Sequence, residues 1–325
     1  MTRHALPPHV PHPLHALDRH WPETNCYVDL WIELLAQRGH DPLAALGFTV
    51  RQDFEGDQFT FFKFPTADLE RLFGVTIHEL AIFDTVEGHV AEQVARGTVP
   101  LVEMDSFYLP DTAGLTYRQE HGKTTVAVLA LDAGRKTMRY VHNAGVFSLS
   151  GEDYDGIFGA LPMQRAQSDR LYPYAEFARF GAPATGRPLA DEAAALVLHH
   201  LNHRPRANPV AAFQAAFPAH AERLVARGPA FFHPYAFNTL RQLGANFELL
   251  ADHLAWLGRE KIIDFKSEID AARAIAAGAK AFQFQLARAL AKSRLAGLES
   301  QLTPLISAYE AVFAGLRAKL LRGLG

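Results

Sequence analysis

Cysteine is almost missing from this sequence, since Cys26 is the one thiol in 325 residues. A single cysteine excludes a disulfide within the chain and leaves no second thiolate for a cysteine-based metal site. We therefore expect a protein of the reducing cytoplasm without a bound metal. The thiol itself is either a small buried hydrophobic group or a nucleophile, and its place along the chain has to separate these two interpretations.

The chain also lacks a strong net charge and a long apolar run. Its 32 basic and 35 acidic residues give a formal net charge of −3, so neither nucleic acid nor a membrane surface is expected as a partner. No stretch reaches the ~18 apolar residues of a membrane span, and residues 1–17 lack the apolar centre of a signal peptide. There is no Gly-x-Ser-x-Gly elbow and no dinucleotide-binding glycine motif.

Two parts of the chain differ in composition. Up to about residue 160 short helices alternate with strand-like runs, and from residue 188 the chain is rich in Ala and Leu, as in a helical bundle. We predict an α+β domain over residues 1–160, a proline-bearing connection over 161–187 and a helical domain over 188–325. Within the first part the pattern predicts a disordered His/Pro tail (His9, His12, His15), helices over 26–38, 66–73 and 85–96, and strands over 60–64, 99–104, 124–131 and 137–141.

Cys26 stands at the start of the first predicted helix. Thr24 or Asn25 can cap that helix, because either side chain can accept a hydrogen bond from the free N–H groups of its first turn. A helix N-terminus carries a positive partial charge, which favours a thiolate over a thiol. We therefore take Cys26 as a candidate nucleophile, with a plain buried side chain as the alternative.

A cysteine nucleophile needs a base and a group that orients the base. His121 directly precedes the strand over 124–131, and His142 and Asn143 follow the next strand. A two-residue turn at 133–134 would place His121 and His142 on one face, whereas a bulge at Gly122 or Gly145 would bring Asn143 there. We predict His121 as base and Asn143 as orienting group, with His142 as the alternative. The order cysteine, histidine, asparagine is that of papain-like enzymes.

Two loops between core runs, residues 53–59 and 105–111, carry acidic and aromatic side chains. Binding residues concentrate in such loops. Asp105 directly follows a strand and is the candidate contact for a substrate amine. Asn25, Gln58 and Tyr117 complete the predicted substrate-binding set. The alternative interpretation of the two loops is that they are ordinary solvated turns without a binding role.

Five segments carry a resemblance to known proteins: residues 23–29, 53–58, 105–111, 117–125 and 140–145. With them, most of the chain resembles a bacterial family of domains of unknown function. Residues 12–160 also resemble, more distantly, the N-terminal domain of butirosin biosynthesis protein H, a papain-like cysteine acyltransferase. That resemblance implies a papain-like fold with Cys26 as nucleophile and His121 as base. The chain departs from the pattern after the second strand, where His142-Asn143 stand in place of the usual Asp.

The resemblance implies transfer of an acyl group, and from the family's association with carrier-loading ligases an aminoacyl group, from a carrier-protein thioester to a small amine. The phosphopantetheine arm would be substrate, and no cofactor is expected. The basic residues of 285–325 are either a docking face for an acidic carrier or an ordinary solvated surface: Arg288, Lys292, Arg294, Arg317, Lys319 and Arg322. The alternative functions are a papain-like peptidase or amidase and a non-enzymatic binding protein with a structural Cys26.

Overall fold

The computed structural model describes residues 9–165, 171–183 and 186–324, which form two compact units built from interleaved stretches of chain. The architecture is α+β, as predicted, with the sheet in the first unit and helices dominating the second. The first unit takes the described residues within Met1–Ala16, Asn25–His40 and Phe73–Ala184, and the second takes those within Leu17–Thr24, Asp41–Leu72 and Thr185–Gly325.

Six antiparallel strands form one open sheet in the first unit. They are Val75–Glu79 (β1), Val99–Asp105 (β2), Lys123–Asp132 (β3), Thr137–His142 (β4), Gly145–Ser150 (β5) and Ala175–Phe180 (β6). Their order across the sheet is β1-β6-β2-β3-β4-β5. The strand β6 lies within the 161–187 segment that was interpreted as a connection, and it pairs with both β1 and β2. Its partners are distant in sequence, so no local hairpin signal marks it.

The hairpin of β3 and β4 forms with a register different from the expected one. Asp132 pairs with Thr137 across a four-residue connection, and the register shifts between Val128 and Ala130. The bulge therefore lies in the middle of β3, where it changes the strand's alternation, and not at Gly122 or Gly145.

Helices cover both faces of this sheet. The helix Cys26–Gln37 (α1) packs against β3 and β4, while Val86–Ala95 (α3) packs against β2 and β3 and Glu152–Ile157 (α4) against β5. Val90 of α3 and Tyr154 of α4 belong to the core that contains Val126 of β3. The short helix Pro162–Arg165 (α5) also belongs to the first unit.

The N-terminal histidines are ordered against α1, so the prediction of a disordered tail was wrong for them. The buried carboxylate of Glu33 lies 2.9 Å from Nε2 of His9 and 3.4 Å from Nε2 of His15, and it accepts the backbone N–H of His12 at 2.8 Å. Burial raises the pKa of Glu33. Because an unpaired buried charge is costly, this carboxylate holds the preceding segment in place.

The second unit is helical, as predicted. Asn208 caps the helix that begins at Pro209. Residues 60–64, predicted as a strand, form none, because the buried rings of Phe62 and Phe64 pack against Phe48 of a helical segment. None of the described helices combines the length and apolar character that crossing a membrane requires. A 3-10 helix spans Pro42–Arg51, a π-helical turn spans Phe237–Arg241, and the α-helices are Thr66–Phe73 (α2), Leu189–Leu201 (α6), Pro209–Arg227 (α7), Phe232–Ala236 (α8), Gln242–Lys261 (α9), Lys266–Ala291 (α10), Thr303–Phe313 (α11) and Leu316–Leu324 (α12).

Candidate active site at one edge of the sheet

Cys26 is the first residue of α1, and its side chain is partly exposed. Asn25 adopts an extended conformation, and its side-chain oxygen accepts the N–H of Val28 at 3.0 Å, so it serves as the cap of the helix. Asn25, predicted to contact substrate, therefore has a structural role as the N-cap of α1. The cap holds the positive end of the helix at the thiol, where it stabilises negative charge.

The end of β2 and the start of β3 lie side by side at one edge of the sheet. Asp105, the last residue of β2, pairs with Lys123, the first residue of β3, while β6 pairs with the first half of β2, from Val99 to Val102. Tyr27 donates from its hydroxyl to Glu176 of β6 at 2.9 Å, which ties the first turn of α1 to that strand. Burial and the adjacent Glu176 raise the pKa of Tyr27, so the phenol stays a hydrogen-bond donor at neutral pH.

A histidine–aspartate pair lies at this edge. Nδ1 of His121 is 2.6 Å from Oδ2 of Asp105, and Oδ1 of Asp105 accepts the backbone N–H groups of Phe107 and Gly122 at 3.1 and 3.2 Å. The ring of His121 also stacks on Phe107, with centroids 4.4 Å apart. A carboxylate only accepts, so Nδ1 carries the hydrogen and the neutral ring presents Nε2 as a base.

Asp105 is thus the residue in contact with the His121 ring, whereas the sequence analysis expected Asn143 there. His121 is 68% exposed at its side chain, which leaves the ring accessible while Asp105 and Phe107 hold its plane. The signal for this pair was present in the sequence, because Asp105 ends one strand and His121 precedes the next. Antiparallel pairing of those two strands was the missing information.

His142 belongs to a separate, buried network. Its Nδ1 is 2.5 Å from Oδ2 of Asp111 and its Nε2 is 2.8 Å from the hydroxyl of Thr124, while Tyr140 donates to the other oxygen of Asp111 at 2.5 Å. Burial and Asp111 raise the pKa of Tyr140. Both ring nitrogens of His142 are engaged, so this histidine holds strand ends together and is not joined to His121.

The other predicted residues fall in three different places. Asn143 opens the two-residue turn between β4 and β5, with a φ of 45° that Asn tolerates well. Tyr117 donates to Asp153 at 3.0 Å and lies in the same unit as Cys26. Gln58 is exposed in a loop of the second unit. The structure therefore brings together His121 and Asp105 out of the predicted set, and places Cys26 at the helix start of the same unit.

A cleft of about 550 Å³ opens beside Asp105. Polar and apolar groups share its lining, among them Asp84, Glu103, Met104 and Phe158. This volume lies in the range of small-molecule sites. In the described stretches of chain, no group of three or more His, Cys, Asp or Glu side chains is arranged to hold a metal ion.

Comparison with protein-family models assigns both parts of the chain. Residues 10–180 match the DUF1839 N-terminal domain, and residues 186–318 match the DUF1839 C-terminal domain. The chain belongs to the DUF1839 family. The candidate site, with Cys26, Asp105 and His121, lies wholly in the DUF1839 N-terminal domain. No curated protein matches the DUF1839 chain.

Proposed function

We propose that this chain is a cysteine-dependent acyltransferase with Cys26 as nucleophile, His121 as base and Asp105 as the group that orients the base. The observation that carries the proposal is the 2.6 Å contact between Nδ1 of His121 and Oδ2 of Asp105, in the unit where Cys26 opens α1. A nucleophile at a helix start, a histidine and an orienting acid are the parts that thiol catalysis needs. The papain-like layout and the kinship with the butirosin-type acyltransferase are part of this proposal.

The reaction proceeds by two exchanges at a carbonyl carbon. Nε2 of His121 takes the proton of the Cys26 thiol, and the thiolate attacks the donor thioester, with the N–H of Cys26 stabilising the oxyanion. The carrier thiol leaves with the proton, and the acyl group stays on Cys26. An amine then attacks this acyl-enzyme, His121 takes up the amine proton, and the products are an amide and the restored Cys26 thiol.

The donor in this proposal is an acyl or aminoacyl group on the phosphopantetheine arm of a carrier protein, and the acceptor is a small amine. The carboxylate of Asp84 in the lining of the cleft beside Asp105 supports an amine-bearing substrate because it attracts an ammonium group. The other lining carboxylate, that of Glu103, is paired with Lys123 at 2.6 Å. Carrier docking on the basic residues of the helical half is the weaker part, since Lys319 and Arg317 already bond to Glu268 and Asn202 at 2.6 Å.

Hydrolysis is the second candidate, favoured by one observation. The His121 side chain is 68% exposed, so water reaches the base as readily as an amine does. An amidase or peptidase would use the same cysteine and the same pair, with water in place of the acceptor. A binding protein in which Cys26 is structural is the third candidate, and the test of the thiol decides it.

The first experiment measures the rate of iodoacetamide alkylation of Cys26 between about pH 5 and about pH 10. We expect rapid alkylation near about pH 7, with the rate lowered strongly in His121→Ala and less in Asp105→Asn, because each change impairs the base that takes the thiol proton. His78→Ala, a change at an exposed histidine of the same unit, is the matched control and leaves the profile unaltered. A slow reaction with an ordinary profile in the unchanged protein would make Cys26 structural and remove both enzymatic candidates.

A second experiment separates transfer from hydrolysis. The protein is mixed with an aminoacyl thioester of a carrier and with a primary amine, and the products are followed by mass spectrometry. Transfer predicts an acyl adduct on Cys26, absent from Cys26→Ser, that decays to the amide as amine is added. Decay to the free acid at a rate independent of amine would instead identify a hydrolase.

A further inference from the structure

A polar cleft in the second unit contains two buried amide side chains whose hydrogen bonding is incomplete. The cleft has a volume of about 340 Å³, and Gln52 and Asn246 belong to its lining. Both residues are almost fully buried, at 2% and 0% exposure. In the part of the chain that the structure describes, neither Oε1 of Gln52 nor Oδ1 of Asn246 has a hydrogen-bond donor.

The orientation of each amide is fixed by its own NH2 group. Nε2 of Gln52 donates to the backbone oxygen of Thr60 at 3.1 Å, and Nδ2 of Asn246 donates to the backbone oxygen of Thr49 at 2.8 Å. Rotating either amide by half a turn would place two acceptors against each other, so the oxygens are assigned by the network. A buried acceptor without a donor is unfavourable, and a ligand with N–H groups would supply the missing hydrogen bond.

The remaining lining of the cleft carries both signs of charge. Arg51 and Lys63 contribute the cationic side chains, and Asp53 and Glu55 contribute the anionic ones. One oxygen of each carboxylate is bonded within the loop, Asp53 to the N–H of Phe54 and Glu55 to the hydroxyl of Thr60. A cleft with unfilled amide acceptors and with charges of both signs suits a molecule that itself carries an ammonium and a carboxylate.

We propose that this cleft binds a free α-amino acid, with the ammonium at the amide oxygens of Gln52 and Asn246 and the carboxylate at Arg51. Aromatic residues beside the polar groups, Phe48 and Phe61, are available for its side chain. The volume lies in the range of small-molecule sites and is large enough for any standard amino acid. This inference involves the second unit alone and does not depend on the chemistry proposed for Cys26.

The test screens each standard L-amino acid at about 10 mM by thermal shift and measures the dissociation constant of any hit by calorimetry. We expect at least one amino acid to bind saturably at one site per chain with a dissociation constant below about 1 mM. Arg51→Ala and Gln52→Met should each weaken that binding about tenfold or more, because each removes one of the two ends of recognition.

Arg259→Ala, at an exposed arginine of α9 outside the lining of the cleft, is the matched control and should leave the affinity unchanged. Arg51 is itself exposed, so Arg51→Ala is a surface change that spares the core even where Gln52→Met disturbs packing. Absence of saturable binding for every amino acid would overturn the proposal. Equal affinity in Arg51→Ala and in the control Arg259→Ala would overturn it as well. Equal binding by Cys26→Ser would show that the cleft acts independently of the thiol.

Discussion

The stability of the second unit should depend on pH through one buried histidine. His253 of α9 is 0% exposed, and its Nδ1 is 2.7 Å from the backbone oxygen of Leu43. In the described residues its Nε2 has no partner, and a Cβ added at Gly47 would lie only 3.3 Å from that atom. A charged imidazole would lack water there, and burial accordingly lowers the pKa of His253 from 6.5 to about 4.

The sign and size of the effect follow from this pKa. Between about pH 6.5 and pH 4 the unfolded chain binds a proton at His253 that the folded chain does not bind. The free energy of unfolding is therefore not reduced by His253 above about pH 6.5, and it decreases as the pH falls below that value. Between about pH 7 and about pH 5 the loss in the free energy of unfolding amounts to about 2 kcal/mol.

Urea unfolding at both pH values, followed by circular dichroism and tryptophan fluorescence, measures this loss. Trp256 lies 5.9 Å from the His253 ring and reports on the same helix. In His253→Gln the amide can still donate to Leu43 but does not titrate, so the loss on acidification should shrink by about 2 kcal/mol. His233→Gln, at an exposed histidine of the same unit, should keep the full loss. Equal losses in the unchanged protein and in His253→Gln would refute the argument from burial.

Two further changes test the packing of the first unit. Asp111→Ala strips the buried His142 of its carboxylate and should lower the free energy of unfolding by about 3–5 kcal/mol in urea titrations. Asp132→Ala, at an exposed carboxylate, should cost well under about 1 kcal/mol, and a similar cost for both would contradict the role of the network. Gly156→Ala places a Cβ 2.2 Å from the ring of Tyr108 and should cost about 1–3 kcal/mol in a thermal or urea melt. An unchanged melting temperature would mean that the ring moves aside freely.

Local patterns in the sequence were sufficient to predict the helices and the hairpin whose caps, turns and apolar repeats lie within a few residues. The helix at Cys26 was predicted over 26–38 and spans Cys26–Gln37, because a cap and an apolar repeat mark its start and its inner face. The hairpin of β3 and β4 and the helical character of the second half were likewise readable. The strand predicted over residues 60–64 was wrong. Aromatic residues alternate there as in a strand, but the structure assigns none to this segment.

Contacts between distant residues were decided by the tertiary structure alone. The sequence shows Asp105 and His121 as separate loop residues, and only the pairing of β2 with β3 places the carboxylate on the imidazole. The same holds for Gln52 and Asn246, which line one cleft although nearly 200 positions separate them. Capping and periodicity act over a few neighbouring residues, so a sequence displays them directly. Strand order, register and burial depend on the whole folded chain, and they determine which candidate groups meet.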